Sequence, residues 1–194
     1  MEITADLVKQ LRDKTGVSVM QCKKALEEAA GDMNKAIDIL SRKSADIAKK
    51  KGDRALAAGA VASYIHAGAQ VGTLVMLSCE TDFVSKNPEF MTLARELAMH
   101  AAATRPAYIK REDVSMAALQ EMRELFAPEA VDKPENIREK VIEGKVAGRL
   151  GELVLLDQPY IKDPGKKIQT LLDEASQKFG ERIEVSKFSV FSVK

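Results

Sequence analysis

A chain of 194 residues with 45% apolar content can bury a real core, as one domain or as a small and a larger one. Its 30 Lys and Arg residues against 29 Asp and Glu leave a formal charge of +1, which excludes strong long-range attraction to nucleic acid or an anionic membrane and favours a folded partner. No stretch approaches the roughly 18 apolar residues that cross a bilayer, and Met1-Glu2-Ile3-Thr4 starts no basic region followed by an apolar one, so the expected compartment is the cytoplasm.

In chain order, Thr4 can cap a first helix whose apolar stripe is Leu7, Val8 and Leu11, with Gly16 as its stop. Ser18-Val19-Met20-Gln21 has the form of a capping box, and Cys22, Ala25, Leu26 and Ala29 continue as the buried stripe of a second helix up to Gly31. Asp32 caps a third helix carrying Met33, Ala36, Ile37 and Leu40, expected to end at Ser44. Residues 1–44 thus read as a three-helix module whose core is small and which a partner would stabilise. The stretch 45–59, with Lys49-Lys50-Lys51, Gly52 and Asp53, reads as a basic linker or solvated helix end; no stacking aromatics interleave the lysines as a nucleic-acid patch would need.

Residues 60–194 read as an α+β domain: a small antiparallel sheet flanked by helices, with a helical hairpin at about 115–150. Val61 to His66 and Val71 to Cys79 form a β-hairpin whose second strand is so apolar that burial on both faces, or nearly so, is expected. Asn87 and Pro88 open a helix with Phe90, Leu93, Ala94, Leu97, Ala98 and Ala101 on one face, which should cover the hairpin. Helical stretches near Ser115 to Phe126 and Pro134 to Leu150 make the helical hairpin, and Leu153 to Leu156 returns extended. Asp163-Pro164 opens a last helix stopped at Gly180, and Arg182 to Val193 forms a final strand.

The search for chemistry is largely negative. The Gly165-Lys166 pair has Tyr160 where a P-loop needs its first glycine, so no phosphate cradle, bound nucleotide or cofactor is expected. Cys22 and Cys79 lie in apolar runs outside any CxxC or Cys/His cluster and read as reduced, buried thiols. His66 and His100 have no metal-ligand spacing or orienting motif around them, and Glu27-Glu28 lies on a solvated helix face. Two features are harder to explain as core. Thr81-Asp82-Phe83-Val84-Ser85-Lys86 sets a phenylalanine in a polar strand-to-helix turn, either tucked inward, which spacing favours, or offered to a partner. Val19 and Met20 place two bulky apolar residues in one first turn, where one can face the core and the other solvent.

On these residues the chain resembles the bacterial elongation factor Ts family. Leu11 through Leu26, reading LRDKTGVSVMQCKKAL, is similar to the family's N-terminal signature, and Cys79-Glu80-Thr81-Asp82-Phe83-Val84 to its second one. Val19 stands where many relatives have a second methionine, Gln21 where an aspartate is frequent, and Ala58 where a glutamate is common. The resemblance implies a ubiquitin-associated-like N-terminal module that contacts the GTPase domain of elongation factor Tu, through Arg12, Val19, Met20 and Lys23. It implies that Thr81, Asp82, Phe83 and Val84 form the loop that enters near the partner's magnesium site. It further implies a guanine-nucleotide exchange factor rather than an enzyme, in a short form that pairs as a homodimer through its sheet. Two rivals remain at this point: an adaptor using the helical module to bind a ubiquitin-like or peptide ligand, and an enzyme using Cys79 with His66 or His100.

Overall fold

The computed structural model describes residues 3–193, which form a mixed α+β fold. Among the described residues, eight α-helices accompany a three-stranded sheet in the order β1 (Ala58–Ile65), β2 (Val71–Cys79), β5 (Glu184–Ser192) and a two-stranded ribbon of β3 (Pro159–Tyr160) and β4 (Asp163–Lys167). The chain divides into two compact units. The first comprises Met1–Val61, Met76–Ala94 and Gln169–Val185, and the second Ala62–Val75, Arg95–Ile168 and Ser186–Lys194.

In the first unit, α1 (Ala5–Thr15), α2 (Val19–Glu28) and α3 (Met33–Lys50) begin where the capping residues stand. The Thr4 hydroxyl accepts from Leu7 N–H, the Ser18 hydroxyl from Gln21 N–H, and Asp32 Oδ1 from both Asn34 and Lys35 N–H. Each cap satisfies backbone donors that the first helical turn leaves unpaired and contributes about 1 kcal/mol. Gly16 ends α1 at φ 67°, a left-handed conformation that a side chain disfavours. Val8, Leu11, Val17, Cys22, Ala25, Leu26, Ala36 and Leu40 meet in one core, as their helical spacing requires.

The third helix does not end at Ser44. Nothing between Ser44 and Gly52 breaks a helix, so α3 continues to Lys50, and Ser44 is buried against Gln177 of α8 (Ile168–Phe179). Lys51, expected in a solvated linker, is buried, and its ammonium donates to the Ser176 carbonyl at 3.3 Å. Burial, reinforced by the Arg54 charge, pulls its pKa below the usual lysine range.

The hairpin forms as expected, with β1 at Ala58–Ile65 and β2 at Val71–Cys79. β2 is not buried on both faces. Thr73, Val75 and Leu77 are buried, whereas Leu74 is 46% exposed and Met76 is exposed as well. Strand alternation sends successive side chains to opposite faces: one face is covered along the strand, the other only at its end, where Ser78 is buried between Leu77 and Cys79. Part of that cover is α5 (Pro88–Thr104): the Thr73 hydroxyl donates to the Ala98 carbonyl at 2.7 Å. Asn87 Oδ1 accepts from Glu89 N–H at the start of α5, and Phe90, Leu97, Ala98 and Ala101 are fully buried.

In the second unit, α6 (Met116–Phe126) and α7 (Glu135–Leu153) make the expected helical hairpin. Val146, Leu150 and Val154 form its core with Leu119, Met122 and Phe126. Leu153 to Leu156 is not a strand: Val154 makes one parallel bridge to Tyr108, and Leu155–Asp157 coils into a 3-10 turn. Asp163-Pro164 does not open the last helix either. β4 (Asp163–Lys167) pairs antiparallel with β3 (Pro159–Tyr160), and α8 starts only at Ile168. The fixed φ of proline suits an extended edge as well as a first helical turn, and here the ribbon uses it. The final strand, β5, spans Glu184–Ser192.

Candidate functional site

The first unit carries two groups of exposed apolar residues at the signature positions. In α2, Val19 is 53% and Met20 64% exposed, while Cys22, Ala25 and Leu26 are fully buried. Met20 points away from that stripe, whereas Val19 is in line with Leu26 and is left exposed at the N-terminal end of the helix, where the stripe that packs on α1 and α3 starts only at Cys22. Arg12, Val19 and Lys23 line one groove with Ile3, Ala5, Val8 and Lys9. Met20 is not part of its lining, so the four residues divide into a cation-rimmed groove and a separate apolar knob. Lys23 also lies 4.0 Å from Glu27 in an exposed i,i+4 pair, which contributes little.

The second group is the short helix α4 (Asp82–Ser85) at the end of β2. Phe83 is 82% exposed and Val84 only 4%. A single helical step of about 100° separates the two side chains, so anchoring Val84 inside turns Phe83 out. Asp82 Oδ2 accepts from Lys86 Nζ at 2.6 Å, within the same turn. That bond and the lysine charge hold the Asp82 carboxyl below its usual range. The ion pair is exposed and confined to the turn, so it stiffens the turn without fastening it to the rest of the fold.

The fastening comes from Glu181. Its Oε2 accepts from the N–H groups of Glu80 and Thr81, each at 3.0 Å, and its Oε1 from the Thr81 hydroxyl at 2.5 Å. Thr81 therefore gives its hydroxyl to Glu181 instead of capping α4. Glu80 returns the arrangement: its Oε1 accepts from Arg182 N–H at 2.6 Å, and Arg54 Nη1 lies 3.2 Å from both its oxygens. Partial burial pushes the Glu80 carboxyl up, but the Arg182 N–H and Arg54 outweigh it and the net shift is downward. Segments 80–81 and 181–182 are thus joined by two carboxylates, each bonded to the backbone of the other segment. Sequence reading missed Glu80, Glu181 and Arg54 as parts of the site. Glu80 stands within the second signature, but no local pattern links it to Arg54 or to the 181–182 segment, since the partners lie up to 102 residues apart.

The residues considered for catalysis give no such arrangement. The Cys79 thiol donates to the Thr81 carbonyl at 3.2 Å, and burial raises its pKa, which disfavours the nucleophilic thiolate. Burial likewise raises the pKa of Cys22. His66 is exposed, with its Nδ1 3.2 Å from the Tyr64 hydroxyl, and His100 is fully buried. Among the described residues no group of three or more His, Cys, Asp or Glu could hold a metal, and no helix is long and apolar enough to cross a membrane.

The model of the family described as elongation factor TS matches residues 5–194. The chain is 47% identical over 194 residues to elongation factor Ts of Thermodesulfovibrio yellowstonii, covering all of this chain and 97% of that one. It is 44% identical over 193 residues to elongation factor Ts of Thermotoga petrophila, again covering 100% and 97%. The elongation factor Ts of Desulforamulus reducens is 45% identical over 189 residues, with 96% of this chain and 87% of the relative covered. The chain belongs to the elongation factor Ts family. It is accordingly a translation elongation factor.

Proposed function

We propose that the chain is a guanine-nucleotide exchange factor for elongation factor Tu. It binds the GDP form of that GTPase, promotes release of GDP and so allows GTP to load. The observation that carries this reading is Phe83, a large aromatic ring held 82% exposed by a turn whose next residue is buried. An isolated exposed phenylalanine on a fastened turn suits insertion into a partner. In this reading Thr81, Asp82, Phe83 and Val84 form the element that disturbs the partner's Mg²⁺ and phosphate site. Residues 1–44, through Arg12, Val19, Met20 and Lys23, form the module that docks on the GTPase domain.

The mechanism needs no bond-making chemistry in this chain. A GTPase holds GDP through phosphate contacts and a bound Mg²⁺, and a factor that prefers the conformation lacking those contacts expels the nucleotide without touching it. Linkage makes the effect reciprocal: nucleotide rebinding must weaken the factor's own binding by the same factor. Neither nucleotide, nucleic acid nor membrane is bound directly, and the chain acts in the cytoplasm.

A second copy of the chain belongs to the same reading. β1 and β5 are the open edges of the three-stranded sheet, and the second unit exposes Ile65, Leu74 and Phe191 around a shared groove. Exposed apolar residues beside open edges suit self-pairing into a homodimer. Sedimentation at micromolar concentration should give twice the chain mass.

The deciding experiment adds catalytic amounts of the chain to elongation factor Tu loaded with a fluorescent GDP analogue. Release accelerated over many turnovers is expected. A stable complex with no acceleration would replace exchange with adaptor function.

A further inference from the structure

We infer that Glu181 is a positioning residue for exchange: its carboxylate sets the angle at which Phe83 leaves the protein. This rests on the proposed role of Phe83. Three donors converge on the Glu181 carboxylate, and all belong to the two residues before α4. Phe83 is two residues beyond the last of them. A turn of four residues is too short to fix its own direction by helical hydrogen bonding. Its direction is set at its two ends, by Val84 buried beneath it and by the Thr81 N–H and hydroxyl bound to Glu181.

The Glu181 contacts are charge-assisted, hence stronger than bonds between neutral groups, and the one from the Thr81 hydroxyl is short at 2.5 Å. Glu80 and Arg54 brace the same junction from the other side, Arg182 being the residue after Glu181. Arg182 closes the arrangement by donating from Nη1 to the Arg54 carbonyl at 2.6 Å. Glu181 itself need not touch the partner. Its effect passes through Thr81 to Phe83, so its loss should alter the release step more than partner capture, which the α1–α2 groove and Met20 support.

The test is a double-mutant cycle on the full chain, using elongation factor Tu loaded with fluorescent GDP. Glu181→Ala should lower the maximal release rate about tenfold while changing KM by no more than about twofold. Glu181→Gln should recover most of the rate, because its amide oxygen can accept from the two N–H groups while the Thr81 hydroxyl turns to accept from the amide nitrogen. In a Phe83→Ala background, Glu181→Ala should produce no further loss, since the side chain it orients is gone.

Normal release by Glu181→Ala, or multiplicative losses in the double variant, would overturn the positioning role while leaving Phe83 in place. Normal release by Phe83→Ala would overturn the reading of the loop itself, and the role of Glu181 with it. If Glu181→Ala does not fold, the cycle is run with Glu181→Gln. A small rate loss that disappears in the Phe83→Ala background supports the proposal, and one that persists there defeats it.

Discussion

His100 Nε2 lies 2.9 Å from Gln158 Oε1 inside the second unit, where both side chains are almost completely buried. The Gln158 amide nitrogen donates to the Glu152 carbonyl, which leaves its oxygen facing the ring and places the histidine proton on Nε2. Nδ1 then accepts from Ile161 N–H at 3.4 Å. Burial lowers the His100 pKa, against a smaller upward effect of the Gln158 bond. The unfolded chain, with an ordinary histidine near 6.5, takes up the proton first as pH falls. The stabilisation from neutral His100 is therefore complete above about pH 6.5 and is lost below it. Melting midpoints at pH 7.5 and 5.5 should fall more for the wild type than for His100→Gln. Equal falls would remove His100 from the acid response.

Phe83 and Phe90 make a controlled pair. Phe83→Ala removes an exposed ring and should change stability by less than about 0.5 kcal/mol, while nucleotide release from elongation factor Tu drops markedly. Phe90 is fully buried, with its ring 6.1 Å from that of Phe179 in an edge-on arrangement. Phe90→Ala should cost about 3–5 kcal/mol and lower the thermal midpoint clearly. A large midpoint loss in Phe83→Ala would return that residue to the core.

Met20→Asp should weaken binding to elongation factor Tu by about tenfold or more, because a charge at an apolar anchor resists desolvation. With Met20 64% exposed, circular dichroism and the melting midpoint should match the wild type. Titration calorimetry with the GDP-bound GTPase measures the first effect, and unchanged affinity would remove Met20 from the interface.

Gly59 has a backbone reason to be glycine. A Cβ built there would lie 2.5 Å from the Leu77 carbonyl oxygen, on the neighbouring strand. Gly59→Ala must push β1 away from β2 and should cost about 1–3 kcal/mol. A chemical-denaturation midpoint equal to that of the wild type would show that the strands give way freely.

The helical module was legible because its caps and stripes are local: Thr4, Ser18, Asp32 and the buried positions of α2 stand where a 3.6-residue period puts them. The direction of Phe83 was not. Rotating a four-residue turn by one position exchanges Phe83 with Val84, and local spacing does not distinguish the two arrangements. β2 misled for a related reason. Leu74 and Met76 are apolar on the uncovered face, so the strand lacks the polar alternation that normally reveals which side is wet. The extension of α3 was legible, since residues 45–50 hold no helix breaker, whereas the burial of Ser44 against Gln177 and the delayed start of α8 depended on tertiary contacts, the latter on the pairing of β3 with β4. Glu181 carried no local signal at all.

The separation of Thr81 from Glu181 by 100 residues also fixes an order of events during synthesis. The segment bearing Phe83 leaves the ribosome long before the carboxylate that fastens it, at about 5–20 residues per second several seconds earlier. Until residues 181 and 182 arrive, that segment has its own short turn and no clasp. A chain released between Val84 and Glu181 would carry both signature motifs, yet would present its aromatic residue on a turn without that clasp. The hold on Phe83 is thereby deferred until synthesis has passed residue 182.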